Sequence, residues 1–272
     1  MKKIVHEIHR MKNPRSPFIY NVSRSGENGI LPNWHENIEI LCFFEGEGTL
    51  TLDGRSLHVG RGDVAVVNPE RLHVTAGEPC LLYHCLIIDN RYCIENGIDV
   101  GEIEFAELIR DEALFAQICE AAPLFARMRE GDDDPTLPPA LRYCALGILL
   151  SLLSRHTVAP AERSGDVQGH SRIKGAVRYL RDAEGAVTLD ELARAMGMSK
   201  FYLCREFRRL TGTTVVTYLN RIRCERARRL IYEGAKVSEA AFAVGFDNLS
   251  YFSRTFLRYT GIRPSDCQRR EK

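Results

Sequence analysis

The chain has 272 residues, 44% of them hydrophobic and 27% charged, an ordinary globular composition with room for two domains or one large one. Its nine cysteines (Cys42, Cys80, Cys85, Cys93, Cys119, Cys144, Cys204, Cys224, Cys267) are odd in number and contain no C-x-x-C pair, which argues against a disulfide scaffold or a structural zinc. The net charge of +1 conceals a division: of 37 basic and 36 acidic side chains, 21 and 11 lie from His170 onward, leaving 16 and 25 before it. An acidic half joined to a basic half points to a polyanionic partner for the C-terminal part. The start, Met1-Lys2-Lys3-Ile4-Val5-His6-Glu7, lacks the apolar core of a signal peptide, and the longest apolar stretch, near Ala145 to Leu150, falls short of a membrane span. The expectation is a soluble cytoplasmic protein with no membrane partner.

Residues 1 to about 20 mix charge with Pro14 and Pro17, show no period, and read as an N-terminal arm. From Ile38 short β-rich runs follow: Ile38–Phe44, Thr49–Leu52, Leu57–Val59, Asp63–Val67 and Leu81–Ile88, punctuated by Gly46, Gly48, Gly60, Gly62 and Gly77. Asp53-Gly54, between two such runs, is a type I′ hairpin signal. Closely spaced strands with glycine turns suggest a small antiparallel barrel or jelly roll.

Within these runs Asn33-x-His35-x3-Glu39-x6-Gly46 resembles the first motif of the cupin family, with Asn33 where that family has its first histidine. Gly62-Asp63 through Pro69 and His73 resembles the second cupin motif with slightly altered spacing. The resemblance implies that His35, Glu39 and His73 point into a barrel, where such a set can hold Fe(II), Mn or Zn. A metal-free polar pocket and a purely structural set of hydrogen bonds are the alternatives. Our expectation is an effector-binding cluster at His35, Glu39 and His73 with no metal and no cofactor. His84, alone in a strand, reads as structural.

Residues 1–103 are thus expected to form a cupin-like effector-binding barrel with its arm, and 104–156 a helical segment. Phe105, Leu108, Ile109, Leu114, Phe115, Ile118 and Ala122 recur at roughly helical spacing over Glu104–Met128, with Pro123 marking a break or kink. After the loop Gly131-Asp132-Asp133-Asp134-Pro135, Leu141–Leu153 is apolar on most faces. It must be covered on several sides, by the barrel or by a second copy, so a homodimer is expected. Residues 157–170 read as a linker and 171–272 as a separate domain.

That last domain says nearly the same thing twice. Tyr202, Arg205, Phe207, Arg209, Thr211 and Gly212 return as Tyr251, Arg254, Phe256, Arg258, Thr260 and Gly261, an offset of 49. Upstream, Glu191 through Gly197 returns as Glu239 through Gly245, an offset of 48. Thr188-Leu189-Asp190-Glu191 is a capping box, Gly197 suits the positive φ of a tight turn, and Ser199 suits the N-cap of the following helix. Helix, short glycine turn, helix is the helix-turn-helix arrangement. In the first copy Leu203, Phe207 and Leu210 fall on one face; Phe201, Cys204, Arg205 and Arg208 fall toward the other. In the second, Phe252 and Phe256 are core, and Leu249, Ser250, Ser253 and Arg254 take the outer positions. These eight outer residues are the expected DNA-binding set, with arginine available to read guanine O6 and N7. Between the copies Val215–Tyr232 reads as one continuous helix carrying Arg221, Arg223, Arg226, Arg228 and Arg229, a rigid spacer.

The run Val244-Gly245-Phe246-Asp247-Asn248-Leu249-Ser250-Tyr251-Phe252-Ser253-Arg254-Thr255-Phe256, continuing through Gly261-Ile262-Arg263-Pro264-Ser265-Asp266, resembles the signature of the AraC/XylS family, with Cys267 where an aromatic residue is usual. The resemblance covers about 100 residues and fits the cupin-like half as well. It implies an α+β multidomain protein: an N-terminal cupin-like antiparallel β-barrel plus helices, and a C-terminal all-α domain with two helix-turn-helix modules. The implied function is sequence-specific regulation of transcription as an activator, with double-stranded DNA and a small molecule, such as a sugar, as partners. RNA polymerase is a further candidate partner. No catalytic residue is assigned and the protein is read as not an enzyme; a cupin enzyme with a DNA-binding appendage and an architectural DNA binder are the competing readings.

Overall fold

The computed structural model describes residues 17–26, 31–129, 135–159, 167–183 and 187–269. Most of the expected arm, much of the expected linker and nearly all of the acidic loop at 131–135 lie outside those residues. The chain divides into two compact units: Trp34–Ser164 with the N-terminal strand, and Gly165–Lys272 with Leu31–Asn33.

The first unit is an antiparallel sheet covered by helices. Its strands are β1 (Phe18–Gly26), β2 (Ile38–Leu52), β3 (Arg55–Gly60), β4 (Val64–Val67), β5 (His73–Ile88) and β7 (Leu108–Ile109), hydrogen-bonded in the order β1-β5-β2-β4-β7 with β3 on β2. The hairpin at Asp53-Gly54 has positive φ at both residues (47° and 87°) and pairs Leu52 with Arg55, the geometry a two-residue I′ turn requires.

Two of the expected strands, Ile38–Phe44 and Thr49–Leu52, are one. β2 crosses Gly46 and Gly48 without turning, because these glycines mark close approach rather than reversal. A Cβ on Gly46 would stand 2.0 Å from the Cys80 carbonyl oxygen, and one on Gly48 2.1 Å from that of Ala76. Phe43 pairs with Tyr83 and Glu45 with Leu82, so Phe44 is an extra residue and the alternation of β2 changes parity there. The interior face is accordingly Leu41 and Phe43 before the bulge, and Leu50 and Leu52 after it, packed with Val59, Val67, Leu81, Tyr83, Cys85 and Ile87.

The other face of the sheet, Ile38, Ile40, Cys42, Leu86 and Ile88, packs on α2 (Glu112–Arg129) and α3 (Leu137–Arg155). The helix expected from Glu104 begins later than its apolar spacing indicates. Residues 104–109 hold two short strands, β6 (Glu104–Phe105) and β7, because Asn68 imitates a neighbouring strand: its Nδ2 donates to Phe105 O and its Oδ1 accepts from Phe105 N, both at 2.9 Å. Asp111 then starts α2 by accepting from Ala113 N and Leu114 N. Pro123 lies inside α2, which continues through it. By length and composition α3 is long and apolar enough to cross a membrane, yet Leu137, Leu141, Ala145, Ile148, Leu149 and Leu152 are all buried in this core. A two-residue strand β8 (Thr157–Val158) closes on β6, and a short helix α1 (Asn90–Glu95) follows β5.

The second unit is helical: α4 (Val167–Asp182), α5 (Leu189–Ala195), α6 (Lys200–Thr211), α7 (Val215–Tyr232), α8 (Val237–Ala243), α9 (Leu249–Thr260) and α10 (Pro264–Arg269). The capping box forms as its sequence dictates, Thr188 Oγ1 accepting from Glu191 N while Glu191 accepts from Thr188 N. The two reader helices start and stop alike. Ser199 and Asn248 cap α6 and α9 through the amides of Tyr202 and Tyr251, and Gly212 and Gly261 end them at φ 68° and 72°. The helix α7 belongs to both cores. Tyr218 meets Phe207 at 5.4 Å between ring centroids, while Cys224, Ala227 and Ile231 are buried with Phe252, Phe256 and Cys267.

Candidate effector site and nucleic-acid interface

Three sequence elements converge inside the first unit. Glu39 lies on β2 before the bulge, His73 opens β5, and His35 sits in the segment leading to β2. All three are buried, and their ligand-type atoms lie within 4.8 Å of one another. Glu39 Oε2 lies 2.8 Å from His35 Nε2 and 3.0 Å from His73 Nε2. The remaining ring nitrogens face carbonyls: His35 Nδ1 is 2.9 Å from Asn37 O, and His73 Nδ1 is 3.0 Å from Arg71 O. A carbonyl and a carboxylate only accept, so the proton in each of these contacts comes from the imidazole nitrogen.

The electrostatics follow from that arrangement. Burial pushes the Glu39 carboxyl up, but the charge of His73 and the hydrogen bonds from both histidines outweigh it and hold the group well below the usual carboxylate range. Burial pulls His73 down, and Glu39 outweighs that in turn, leaving its pKa raised. Cys85, which the sequence reading did not single out, donates from Sγ to Glu39 Oε1 at 3.0 Å. It shares the interior face with Tyr83, whose hydroxyl is paired with Thr75. The cue for Cys85 was its place two residues beyond Tyr83 on the same strand face.

His35, Glu39 and His73 therefore form one site, whose donors are of the types that hold a divalent cation in place of the two Nε2 protons. Asn33, at the position of the first cupin histidine, is absent from it. That residue belongs to the second unit, where its Oδ1 accepts from Arg181 Nη1. His84 faces the opposite side of the sheet, bonded through Nδ1 to Tyr20 Oη at 2.7 Å and packed on Phe44.

In the second unit Leu203, Phe207, Leu210, Phe252 and Phe256 are buried, as the two-faced reading of α6 and α9 expects. Of the outer positions, Phe201 is 90% exposed; Arg205, Arg208, Leu249, Ser250, Ser253 and Arg254 are exposed; Cys204 is half-buried. Two arginines of α7 turn to backbone carbonyls, while Arg229 Nε lies 3.8 Å from the carboxylate of Glu233. Arg226 Nη2 donates to Leu180 O and Arg181 O at the end of α4, and Arg223 Nη2 donates to Val187 O. The two carbonyls met by Arg226 belong to the last turn of α4, where a helix leaves acceptors without an intrahelical partner.

Residues 26–134 match the family described as the AraC-like ligand binding domain, and residues 192–270 match a helix-turn-helix domain. An uncharacterized HTH-type transcriptional regulator of Bacillus subtilis, YbfI, is 32% identical over 242 residues, which are 81% of this chain and 80% of that one. The chain belongs to the AraC family of transcriptional regulators. It carries an N-terminal ligand-binding domain and a C-terminal helix-turn-helix DNA-binding domain. The HTH-type transcriptional activator RhaR of Salmonella dublin is 24% identical over 85% of this chain and 84% of its own. The chain spans about a third of YesN, a regulatory protein of Bacillus subtilis, at 37% identity over 117 residues and 32% of that protein's length. The structure of ToxT from Vibrio cholerae aligns with 92% of this chain and 97% of its own at 15% identity and a TM-score of 0.44.

Proposed function

We propose that this regulator is a metabolite-responsive activator whose effector is held by His35, Glu39 and His73. The observation that carries the reading is the buried convergence of these three side chains in the ligand-binding unit. Two imidazoles around one carboxylate, with a thiol behind it, present fixed donors and one shared acceptor. A small hydroxylated molecule such as a sugar can exchange hydrogen bonds with such a group without leaving a charge unpaired. Activation, rather than repression, is supported by the kinship with proteins named activators.

On the DNA side, Phe201, Cys204, Arg205 and Arg208 of α6 meet one stretch of major groove, and Leu249, Ser250, Ser253 and Arg254 of α9 another. The copies share an arginine and differ at most other outer positions, so one chain reads an asymmetric site. The protein acts in the cytoplasm as a homodimer and engages RNA polymerase from the DNA. Effector binding shifts the balance between two states of differing affinity for the operator.

A thermal-shift screen of sugars, other metabolites and divalent metals on the full chain tests the effector site. The reading expects a metabolite that raises the melting temperature of the wild type and leaves His35→Ala unchanged. A metabolite whose stabilisation survives both His35→Ala and Glu39→Gln would place the effector elsewhere. Stabilisation by metal alone would replace the metabolite with an ion.

A further inference from the structure

The first reader helix carries a carboxylate that its twin lacks. Glu206 is 7% exposed, although it lies one residue from the exposed Arg205. Its Oε1 accepts from Arg205 Nε at 3.2 Å and its Oε2 from Arg209 Nε at 2.8 Å. The Arg205 guanidinium also lies over the Tyr202 ring, 5.1 Å from its centroid. Each arginine is gripped through Nε, at the root of the fork. The two terminal nitrogens of Arg205, the pair whose spacing matches guanine O6 and N7, take no part in that grip.

In α9 the position equivalent to Glu206, at the repeat offset of 49, is the buried Thr255. Arg254 and Arg258 stand where Arg205 and Arg209 stand, without a carboxylate between them, and Arg258 lies over the Tyr259 ring instead. Among the described residues Arg254 makes no ion pair. The two modules therefore share a fold, a cap and an arginine, and differ in what holds that arginine.

We propose that Glu206 is a specificity-determining positioning residue, which aims the Arg205 fork at a base and cancels charge that would otherwise be spent on any phosphate. The proposal rests on Arg205 being a base reader. Two physical effects act together. A guanidinium held at its root loses less conformational freedom when its tip binds, which favours the one sequence that fits the held geometry. The carboxylate also neutralises the Arg205 guanidinium, so that a stray phosphate contact by that side chain gains little, which weakens random binding more than a site where the fork meets its base. The first module is then the discriminating reader, and the second, with an unheld arginine, the adaptable one.

The test measures the affinity of the full chain for a duplex selected from a random library and for an unrelated duplex of equal length, over a range of salt concentrations. The proteins are wild type, Glu206→Gln, Arg205→Ala and the double variant. Glu206→Gln keeps the volume and one acceptor. It should bind the unrelated duplex several-fold tighter, with a steeper salt dependence, and lose on the order of tenfold in the ratio of selected to unrelated affinity. In the Arg205→Ala background the same substitution should leave that ratio unchanged. An undiminished ratio in Glu206→Gln, or an equal loss whether or not Arg205 is present, overturns the positioning role while leaving Arg205 as a reader. An unchanged ratio in Arg205→Ala overturns the reader and the proposal together. Should Glu206→Gln lower the melting temperature, Arg205→Lys serves instead. It keeps the charge but not the fork, and is expected to lose the ratio while holding its affinity for the unrelated duplex. Retention of the full ratio by Arg205→Lys overturns the proposal.

Discussion

Glu39 and His73 meet at 3.0 Å although the sheet pairs neither with the other. Glu39 lies across from Ile87 and His73 across from Leu52, 13 residues further along the strand that carries Glu39. A straight strand would separate those ends by about 43 Å. The contact therefore measures how far β2 and β5 curl back on themselves, and the Phe44 bulge with the side-chain-free crossings at Gly46 and Gly48 is what permits the curl.

That contact gives the first unit a pH optimum. Glu39 has a lowered carboxyl pKa, so its contribution is complete above the unfolded value near ~4.3 and is lost as pH falls through the folded one. His73 has a raised pKa, so its contribution is complete below about 6.5 and is lost as pH rises through its folded value. Melting temperatures of the full chain should peak between these limits. Glu39→Gln should flatten the profile and cost about 3–5 kcal/mol near neutrality, because it leaves the buried His73 imidazole without its counter-charge. Parallel wild-type and variant profiles from mildly acid to mildly alkaline pH would refute this account.

Removing a reader arginine should be felt as sequence preference. Arg205→Ala and Arg254→Ala are each expected to cost about 1–3 kcal/mol at the selected site and to relax its sequence requirement. Competition binding against single-base variants of the site is the measurement. Equal losses on every duplex would mean that these side chains contact phosphate.

Arg226 should behave in the opposite way. Its guanidinium is committed to the carbonyls of Leu180 and Arg181, so Arg226→Ala is expected to lower the stability of the second unit by roughly 1–3 kcal/mol. The dependence of DNA affinity on salt should stay as in the wild type. A shallower salt dependence with unaltered melting would identify Arg226 as a phosphate ligand instead.

Glu225 supplies a second pH signature, of reversed sign. Burial pushes its carboxyl up to about 7 against the opposing pull of Arg221, Arg228 and Arg226. A carboxyl with a raised folded value loses stability as pH climbs from the unfolded value near ~4.3 through the folded one. Glu225→Gln should therefore melt higher than wild type at pH 8 and converge with it near pH 5. A variant that melts lower at both would show the carboxylate to be a net stabiliser.

The helical unit was legible in detail because its signals are local. A cap, a glycine at positive φ and a two-faced helix are each written within a few residues, and Thr188, Gly212 and Phe256 behave as their neighbours dictate. The sheet unit was legible only where a turn is local, as at Asp53-Gly54. Strand β1 escaped because Asn21, Ser23, Arg24 and Ser25 give it no apolar alternation, and its place is set by pairing with β5 far along the chain. The stretch 104–109 reads as helix because Asn68, distant in sequence, supplies the bonds that make it extended. His35, Glu39 and His73 were found through motif spacing, whereas Cys85 joins them only through a fold that motif spacing does not describe.

The double membership of α7 makes chain length itself a determinant of recognition. Tyr218 is locked into one module and Ile231 into the other on a single continuous helix. Inserting one residue between them would turn the second module by about 100° and advance it by about 1.5 Å relative to the first. A DNA duplex offers its grooves at a set phase, so a protein altered in that way would hold two sound readers pointing to incompatible faces. The span from Tyr218 to Ile231 is a phase standard, tolerant of substitution on its surface and intolerant of any change in its count.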